Sequence, residues 1–268
     1  MKDRIDKILV DLGYFDSRER AKTNIMAGRV SVDNFIVDKP GSIISSESKI
    51  QIKEDEIPFV SRGGLKLDKS IKLWNIDLKD KICMDIGAST GGFTDVMLKN
   101  GALRVYSVDV GYGQLDWKLR NHPAVVNMER TNIRYVEPEN VADKIDFFSI
   151  DVSFISLKLV LPKLISLGQD EFECIALIKP QFEVGKNEVG RNGVVKEASL
   201  HQKAILNALS YAKDNGLWPK DISYSPIKGP KGNIEFLMYL TSKEIPDRGI
   251  EDKVESLVKE AHQSLITH

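Results

Sequence analysis

Past Pro58 the chain keeps changing its period. Apolar runs at Ile82 to Ile86, Val105 to Val110, Ala124 to Met128, Phe147 to Ile150 and Cys174 to Ile178 alternate with segments of helical spacing at Phe93 to Lys99, Gln114 to Arg120, Leu157 to Leu167 and Ser199 to Asn215. Runs that are apolar on both faces need cover on both sides, and the intervening helices supply it, so the pattern predicts a doubly wound, mostly parallel α/β sheet. The tail differs. Ile222 to Tyr224 and Ile234 to Leu240 are joined by the turn-rich SPIKGPKGN, which suits an antiparallel pair at the sheet edge. A last amphipathic helix, with Val254, Leu257, Val258, Ala261 and Leu265 at helical spacing, is expected to pack back on the sheet.

The N-terminal stretch has a different grammar. Ile5, Ile8, Leu9 and Leu12 mark a short helix closed by Gly13; a second opens at Asp16 with Glu19 three residues on, and runs through Ala21, Ile25 and Met26 to Gly28. Then the period falls to two at Val30 and Val32, an Asp33-Asn34 turn follows, and Ile36, Ile50 and Ile52 complete a small sheet. A length of 268 residues holds this small α+β domain (1–58), a linker (59–64, within IPFVSRGG) and a larger α/β domain (65–268).

Composition narrows the function classes. Hydrophobic residues at 42% exclude a disordered chain. With 38 basic against 39 acidic residues there is no overall field for nucleic acid, so any RNA surface must be local. Arg18, Arg20 and Lys22 crowd the second helix and Arg29 starts the first strand; the alternative for them is a solvated helix face. No apolar run reaches the length of a membrane span, and MKDRIDKILV is charged where a secretory signal would be apolar, so a soluble, cytoplasmic protein is expected. Both cysteines, Cys83 and Cys174, fall in apolar runs and read as small core residues, and the four dispersed histidines argue against a metal site.

The most informative stretch is KICMDIGASTGGFTDVML, where an apolar strand runs into Asp85 and a glycine-rich turn that opens a helix. A dinucleotide site would want Gly-x-Gly-x-x-Gly, but the glycines are Gly87, Gly91 and Gly92, with Ser89 at the second required position, and the Gly-Lys-Ser/Thr of a phosphate loop is absent. One strand later, Asp109 ends SVDVG at a distance suited to accepting from ribose hydroxyls. A nucleoside cofactor without phosphate, S-adenosylmethionine, fits this pattern better than a nicotinamide or a nucleoside triphosphate.

The segment RIDKILVDLGYFDSRERAKTNIMAGRVSVDNFIVDKPGSII resembles the alpha-L RNA-binding module of a small-subunit ribosomal protein, pseudouridine synthases and tyrosyl-tRNA synthetases. VSRGGLKL, DIGASTGGFTD, SVDVGYGQL, ERTNIR, SIDVSFISL, IKPQFEVGK and GNIEF extend the likeness across the chain: it resembles the TlyA family, which joins that module to an FtsJ-like ribose methyltransferase, often under the label hemolysin. The resemblance implies a Rossmann-like methyltransferase sheet with one antiparallel strand, and a Lys-Asp-Lys-Glu tetrad at Lys66, Asp151, Lys179 and Glu235. It also implies a cofactor held by Gly91, Phe93, Asp109, Asn132 and Asp151, with Glu129 the alternative to Asn132. The expected substrate is ribosomal RNA, methylated on cytidine 2'-hydroxyls in the small subunit and also in the large one. Contacts to RNA are expected from Arg4, Arg18, Arg20, Lys22, Arg29 and Arg62, and from Lys186 and Arg191 in the glycine-rich loop after Lys179.

The residue types suit that chemistry. A ribose hydroxyl must lose its proton as it attacks an already activated methyl, so the protein mainly positions and deprotonates. Burial and a second ammonium, Lys66, favour the neutral form of Lys179, and the two carboxylates orient both lysines. Taken singly, Lys66 could be a solvated helix lysine and Glu235 an edge carboxylate paired with Lys231. Other readings are a non-catalytic RNA-binding assembly factor and a membrane-active hemolysin; a DNA or protein methyltransferase would want Asn/Asp-Pro-Pro-Tyr where Asp151 is followed by Val-Ser-Phe.

Overall fold

The computed structural model describes residues 2–15, 17–26, 28–52, 58–190 and 192–266, apart from the side chains of Thr23 and Ile266. The chain forms two compact units, Met1–Pro58 and Phe59–His268.

In the first unit, β1 (Lys2–Arg4) leads into α1 (Ile5–Asp11) and α2 (Arg18–Met26), followed by β2 (Val30–Val32), β3 (Phe35–Ile36), β4 (Ile43–Ser45) and β5 (Ile50–Ile52). β1 pairs with β4, and the other strands form a sheet in the order β3-β2-β5. The Asp16 cap expected for α2 lies outside the described residues; Ser17 Oγ accepts from the Arg20 N–H at 3.3 Å. Asp33 and Asn34 both take positive φ, 52° and 72°, which makes the two-residue turn whose twist matches the flanking strands. Ile5, Leu9, Ala21, Ile25, Val30 and Val32 form the core at the predicted periodic positions.

One charge sits inside this small unit. Asp6 on α1 is fully buried and accepts from Arg4 Nε at 3.0 Å and from an Arg18 guanidinium nitrogen at 2.9 Å. The hydrogen bond from Arg4, aided by Arg18, outweighs burial and draws its carboxyl down to about 2.

The second unit opens with α3 (Gly64–Trp74), then β6 (Ile82–Ile86), α4 (Gly92–Lys99), β7 (Arg104–Val108), α5 (Trp117–Arg120), β8 (Val125–Met128) and β9 (Ile145–Ile150). It continues with α6 (Leu161–Leu167), β10 (Gly168–Ile178), α7 (Pro180–Glu183), α8 (Ala198–Asp214), β11 (Trp218–Tyr224), β12 (Phe236–Thr241) and α9 (Val254–Ile266). The sheet order is β11-β12-β10-β9-β6-β7-β8. β12 runs antiparallel to both neighbours, so the reversed strand is second from the edge and β11 lies outside it.

Alternate strand residues face opposite cores. Met84, Ile86, Phe148, Ile150, Ala176 and Met238 join the cluster under α6, α8 and α9, while Cys83, Phe147, Ile175, Leu177 and Leu237 join the one under α3 and α4. This is the two-sided burial that the apolar runs require. Successive strands move outward from β6 through β7 to β8, then return to the other side of β6 at β9. The order therefore reverses between β6 and β9, where an open α/β sheet leaves a crevice at its carboxyl end. Cys83 and Cys174 are free and buried.

Because the Asp6 carboxyl lies below its ordinary 3.8, its stabilising effect is present above about pH 4 and is lost as the pH falls through about 2. Asp6→Asn should destabilise the first unit by about 1.5 kcal/mol at pH 7, its partners being half exposed. Hydrogen exchange within residues 2–52 should accelerate at pH 7, with the difference from wild type shrinking toward pH 2.

Candidate active site

Four elements deliver one charged side chain each to the carboxyl end of the sheet. Lys66 comes from the first turn of α3, Asp151 follows β9, Lys179 follows β10, and Glu235 precedes the reversed strand β12. Lys66 Nζ lies 2.7 Å from Glu235 Oε2 and 3.3 Å from Asp151 Oδ2, and Lys179 Nζ lies 2.6 Å from Asp151 Oδ1. The result is an array in which charge alternates: Glu235, Lys66, Asp151, Lys179. Lys66, Lys179 and Glu235 are only 6%, 8% and 1% exposed. Glu235 pairs with Lys66 rather than with Lys231, and Lys66 is no solvated helix lysine.

Burial works against the Lys66 ammonium, but Asp151 and Glu235 outweigh it and raise its pKa, so this lysine is held cationic. Burial likewise opposes the Asp151 carboxylate, and Lys66 and Lys179 overcome it, lowering its pKa. Lys179 also donates to Ser153 Oγ at 3.1 Å.

Two cavities meet at this array. The larger, about 690 Å³, lies at the switch between β6 and β9 and is lined by Gly87, Ser89, Asp109, Asn132, Asp151 and Ser153 together with the apolar Ile86, Val108, Val110 and Ile133. The Asp109 carboxylate accepts from the Ser89 N–H at 2.8 Å and the Gly111 N–H at 2.7 Å, which fixes both oxygens at the rim with lone pairs to spare. Asn132 caps the following turn, accepting from the Arg134 N–H at 3.2 Å. Glu129, the alternative to Asn132, turns away to Arg120 and the Gly113 N–H. The second cavity, about 380 Å³, is lined by Lys179, Gln181, Phe182, Lys231, Asn233 and Glu235. Ser153 and Phe154 border both.

Other residues named from the sequence stand behind the walls. Asp85 is buried and accepts from the Thr94 N–H and hydroxyl at 2.9 and 2.8 Å and from Ser149 Oγ at 3.1 Å, tying β6 to α4 and β9 without lining the cavity. Burial without a cation pushes its carboxyl up to about 7. Phe93 packs in the core under α3, and a Cβ on Gly92 would come within 2.9 Å of the Gly64 nitrogen, so Gly92 serves helix contact rather than the cavity. A Cβ on Gly91 would meet the Leu115 and Leu119 side chains. Gly87 has the tightest constraint: φ is +89°, and a Cβ would lie 2.6 Å from the Asp151 carbonyl oxygen.

The cationic residues divide. Arg4 and Arg18 keep exposed guanidinium surface while bonded to Asp6, Lys22 pairs with Glu19 at 2.6 Å, and Arg29 donates to Asn24 at 3.3 Å. Arg20, Arg62 and Lys186 are exposed, and Arg191 lies outside the described residues. Sequence reasoning missed Gln181 and Glu183. Glu183 is buried and accepts from Ser156 Oγ at 2.6 Å and the Leu157 N–H at 2.8 Å, joining the segment after β10 to the loop after β9. Both lie in the IKPQFE stretch, but their contacts exist only once β9 and β10 are adjacent.

A doubly wound sheet with a penultimate reversed strand, a cavity at its switch point and a buried Lys-Asp-Lys-Glu array defines the class: an α/β group-transfer domain of the methyltransferase type. Comparison with known proteins agrees. Residues 59–242 match the FtsJ-like methyltransferase family and residues 3–50 match the S4 domain. The chain is 45% identical to the candidate rRNA methyltransferase YqxC of Bacillus subtilis, over 98% of this chain and 95% of that one. It is 40% identical to the 16S/23S rRNA (cytidine-2'-O)-methyltransferase TlyA of Mycobacterium tuberculosis, over 96% and 97%. A solved structure of a hemolysin-labelled protein from Streptococcus thermophilus superposes with a TM-score of 0.79 at 44% identity, covering 99% of this chain and 98% of that one. The chain belongs to the FtsJ-like methyltransferase family, with TlyA proteins among its relatives.

Two outcomes follow from the wall residues. Gly87→Ala should push the Asp151 backbone away from β6 and cost about 1–2 kcal/mol for the left-handed φ alone; calorimetric titration should then register weaker S-adenosylmethionine binding. Since the Asp85 carboxyl lies above its ordinary 3.8, the cost of its charge enters as the pH rises from about 4 to about 7. Asp85→Asn should therefore melt higher than wild type at pH 8 and gain nothing at pH 4.

Proposed function

We propose that the protein methylates the 2'-hydroxyl of cytidine in ribosomal RNA, using S-adenosylmethionine, in the cytoplasm. The observation that carries this reading is the buried Lys66, Asp151, Lys179, Glu235 array at the meeting of two cavities. The names of the Mycobacterium tuberculosis and Bacillus subtilis relatives support the same substrate class.

The larger cavity suits a nucleoside cofactor. It has room for one, its walls combine apolar side chains and backbone with polar groups such as Asn132 and Arg134, and the Asp109 carboxylate at its rim can accept from ribose hydroxyls. Asp109 would hold the ribose, Asn132 the neighbouring edge, and Gly87 and Ser89 the backbone side. S-Adenosylmethionine, when bound, supplies an activated methyl group.

The chain's own residues do the rest. Lys66 is committed to its charge by two carboxylates, whereas Lys179 shares Asp151 and borders the second cavity. Lys179 in its neutral amine form would therefore be the group that receives the proton of the attacking 2'-hydroxyl, returning to the ammonium that pairs with Asp151, with Asp151 and Ser153 fixing its position. Glu235 and Lys66 hold Asp151 in register. The unit Met1–Pro58 would serve as the RNA-binding domain, using Arg4, Arg18, Arg20, Lys22 and Arg29 on phosphates, with residues 59–64 as the linker to a catalytic domain over 65–268. Arg62, Lys186 and Arg191 would add phosphate contacts.

Transfer of labelled methyl from S-adenosylmethionine to purified ribosomal subunits, followed by mapping of the modified ribose, tests the reading. Wild type should label a cytidine 2'-oxygen; Lys179→Ala should lower the rate at least about 100-fold while still binding the cofactor. Full transfer by the variant would remove Lys179 from the chemistry. Absence of label on either subunit would point to an RNA-binding assembly factor.

A further inference from the structure

One side chain lining the second cavity carries an acceptor that is closed off from solvent and has nothing to accept from. Gln181 lines it, and its Oε1 is buried without a hydrogen-bond partner among the described residues. Asp151 Oδ1 and Glu235 Oε2 are also buried without a hydrogen bond of good geometry, but each lies against a lysine ammonium, at 2.6 and 2.7 Å. Gln181 has no such ion. A carbonyl oxygen left in this state is costly, and the cost is relieved when the carboxamide turns to a ligand that brings an N–H donor.

Of the neighbouring polar groups, Asn233 and Ser153 are already engaged, while Lys231 is exposed at the cavity's edge. The Asn233 amide donates to the Gly193 carbonyl at 2.9 Å and accepts from the Val195 N–H at 2.9 Å. Ser153 Oγ accepts from Lys179. The rings of Phe154 and Phe182, with centroids 5.4 Å apart, stand on the same wall. The cavity thus offers flat apolar surface and one carboxamide with unspent hydrogen-bonding capacity, next to the amine that is to deprotonate a ribose hydroxyl. A nucleobase attached to that ribose has the matching shape, and single-stranded bases are read on their Watson–Crick edges when taken out of the stack.

We propose that this cavity seats the target base and that Gln181 recognises its exocyclic amine, accepting from the amino group at Oε1 and donating from Nε2 to the adjacent ring nitrogen. The assignment rests on the ribose methyltransferase reading and adds to it the residue that recognises cytosine. A carboxamide and an aminopyrimidine edge are complementary in the same sense that Gln and adenine are in a groove.

The test compares ribosomal RNA carrying, at the mapped site, either cytidine or the pyrimidin-2-one riboside, which lacks the amine. Wild type should lose about 10–100-fold in kcat/KM on the analogue, the range for one bidentate base contact. Gln181→Met should be slower on cytidine yet lose less than about 2-fold on removal of the amine, because the two changes delete the same interaction. Gln181→Glu, which keeps an acceptor, should still lose several-fold. Cofactor binding, measured by calorimetry, should be equal in all three. The assignment is overturned if wild type is indifferent to the amine, or if either foldable variant shows the wrong response: a full wild-type loss in Gln181→Met, or no loss in Gln181→Glu. If wild type methylates neither RNA, the ribose methyltransferase reading itself has failed, which separates that outcome from the others.

Discussion

The active end of the sheet depends on the Asp151 carboxylate standing between two ammonium groups. An isolated buried ion costs several kcal/mol, so none of the four charges is tolerable alone at that depth. Alternation solves the problem: Glu235 balances Lys66, Lys66 shares Asp151 with Lys179, and each ion has an opposite charge within 3.3 Å. Each comes from a different element, so the array forms only when α3, β9, β10 and β12 are all in register. The same coupling leaves the lysines unequal, one held by two carboxylates and the other by one.

Around this array the loops after β9 and β10 divide the carboxyl end of the sheet into two chambers. Ser153 and Phe154 form the shared wall, and Glu183 holds that wall to the segment carrying Lys179 and Gln181. On the other side of β9, Asp85 ties Ser149 to Thr94 at the start of α4. Buried polar ties that are fully hydrogen-bonded are rigid, and rigidity is what a two-substrate transfer requires of its walls. Asp85 and Glu183 are buried with no cation beside them among the described residues, and burial raises the pKa of both.

The hemolysin label on a structural relative finds no physical counterpart in the described residues. No helix among them is long and apolar enough to cross a membrane. The apolar stripe of α9 is used in the core, through Val254, Val258 and Ala261. In the first unit, two of the arginines that would face RNA are anchored on Asp6, which orients their guanidinium groups while neutralising part of their charge.

Much of this was legible in the residues themselves. The alternation of continuous apolar runs with segments of helical spacing determined the layers, because a strand apolar on both faces has to be covered twice. Gly13, Gly28 and Asp33-Asn34 determined where the small unit turns, since positive φ is open to few residue types. The four charged residues were legible as a set only through family resemblance, for each alone had an ordinary surface reading. What tertiary structure decided is adjacency. Lys66 and Glu235 are far apart in sequence and meet at 2.7 Å because β12 enters the sheet reversed beside β10. Asp85 and Gly92 were legible as part of the glycine turn and Phe93 through the resemblance, but only the packing shows that Asp85 ties β6 to α4 and β9, that Gly92 meets α3 and that Phe93 joins the core under α3. Gln181 and Glu183 lie in the IKPQFEVGK stretch but gave no sign of their individual roles, because a buried acceptor is recognised by what surrounds it, and those surroundings come from other strands.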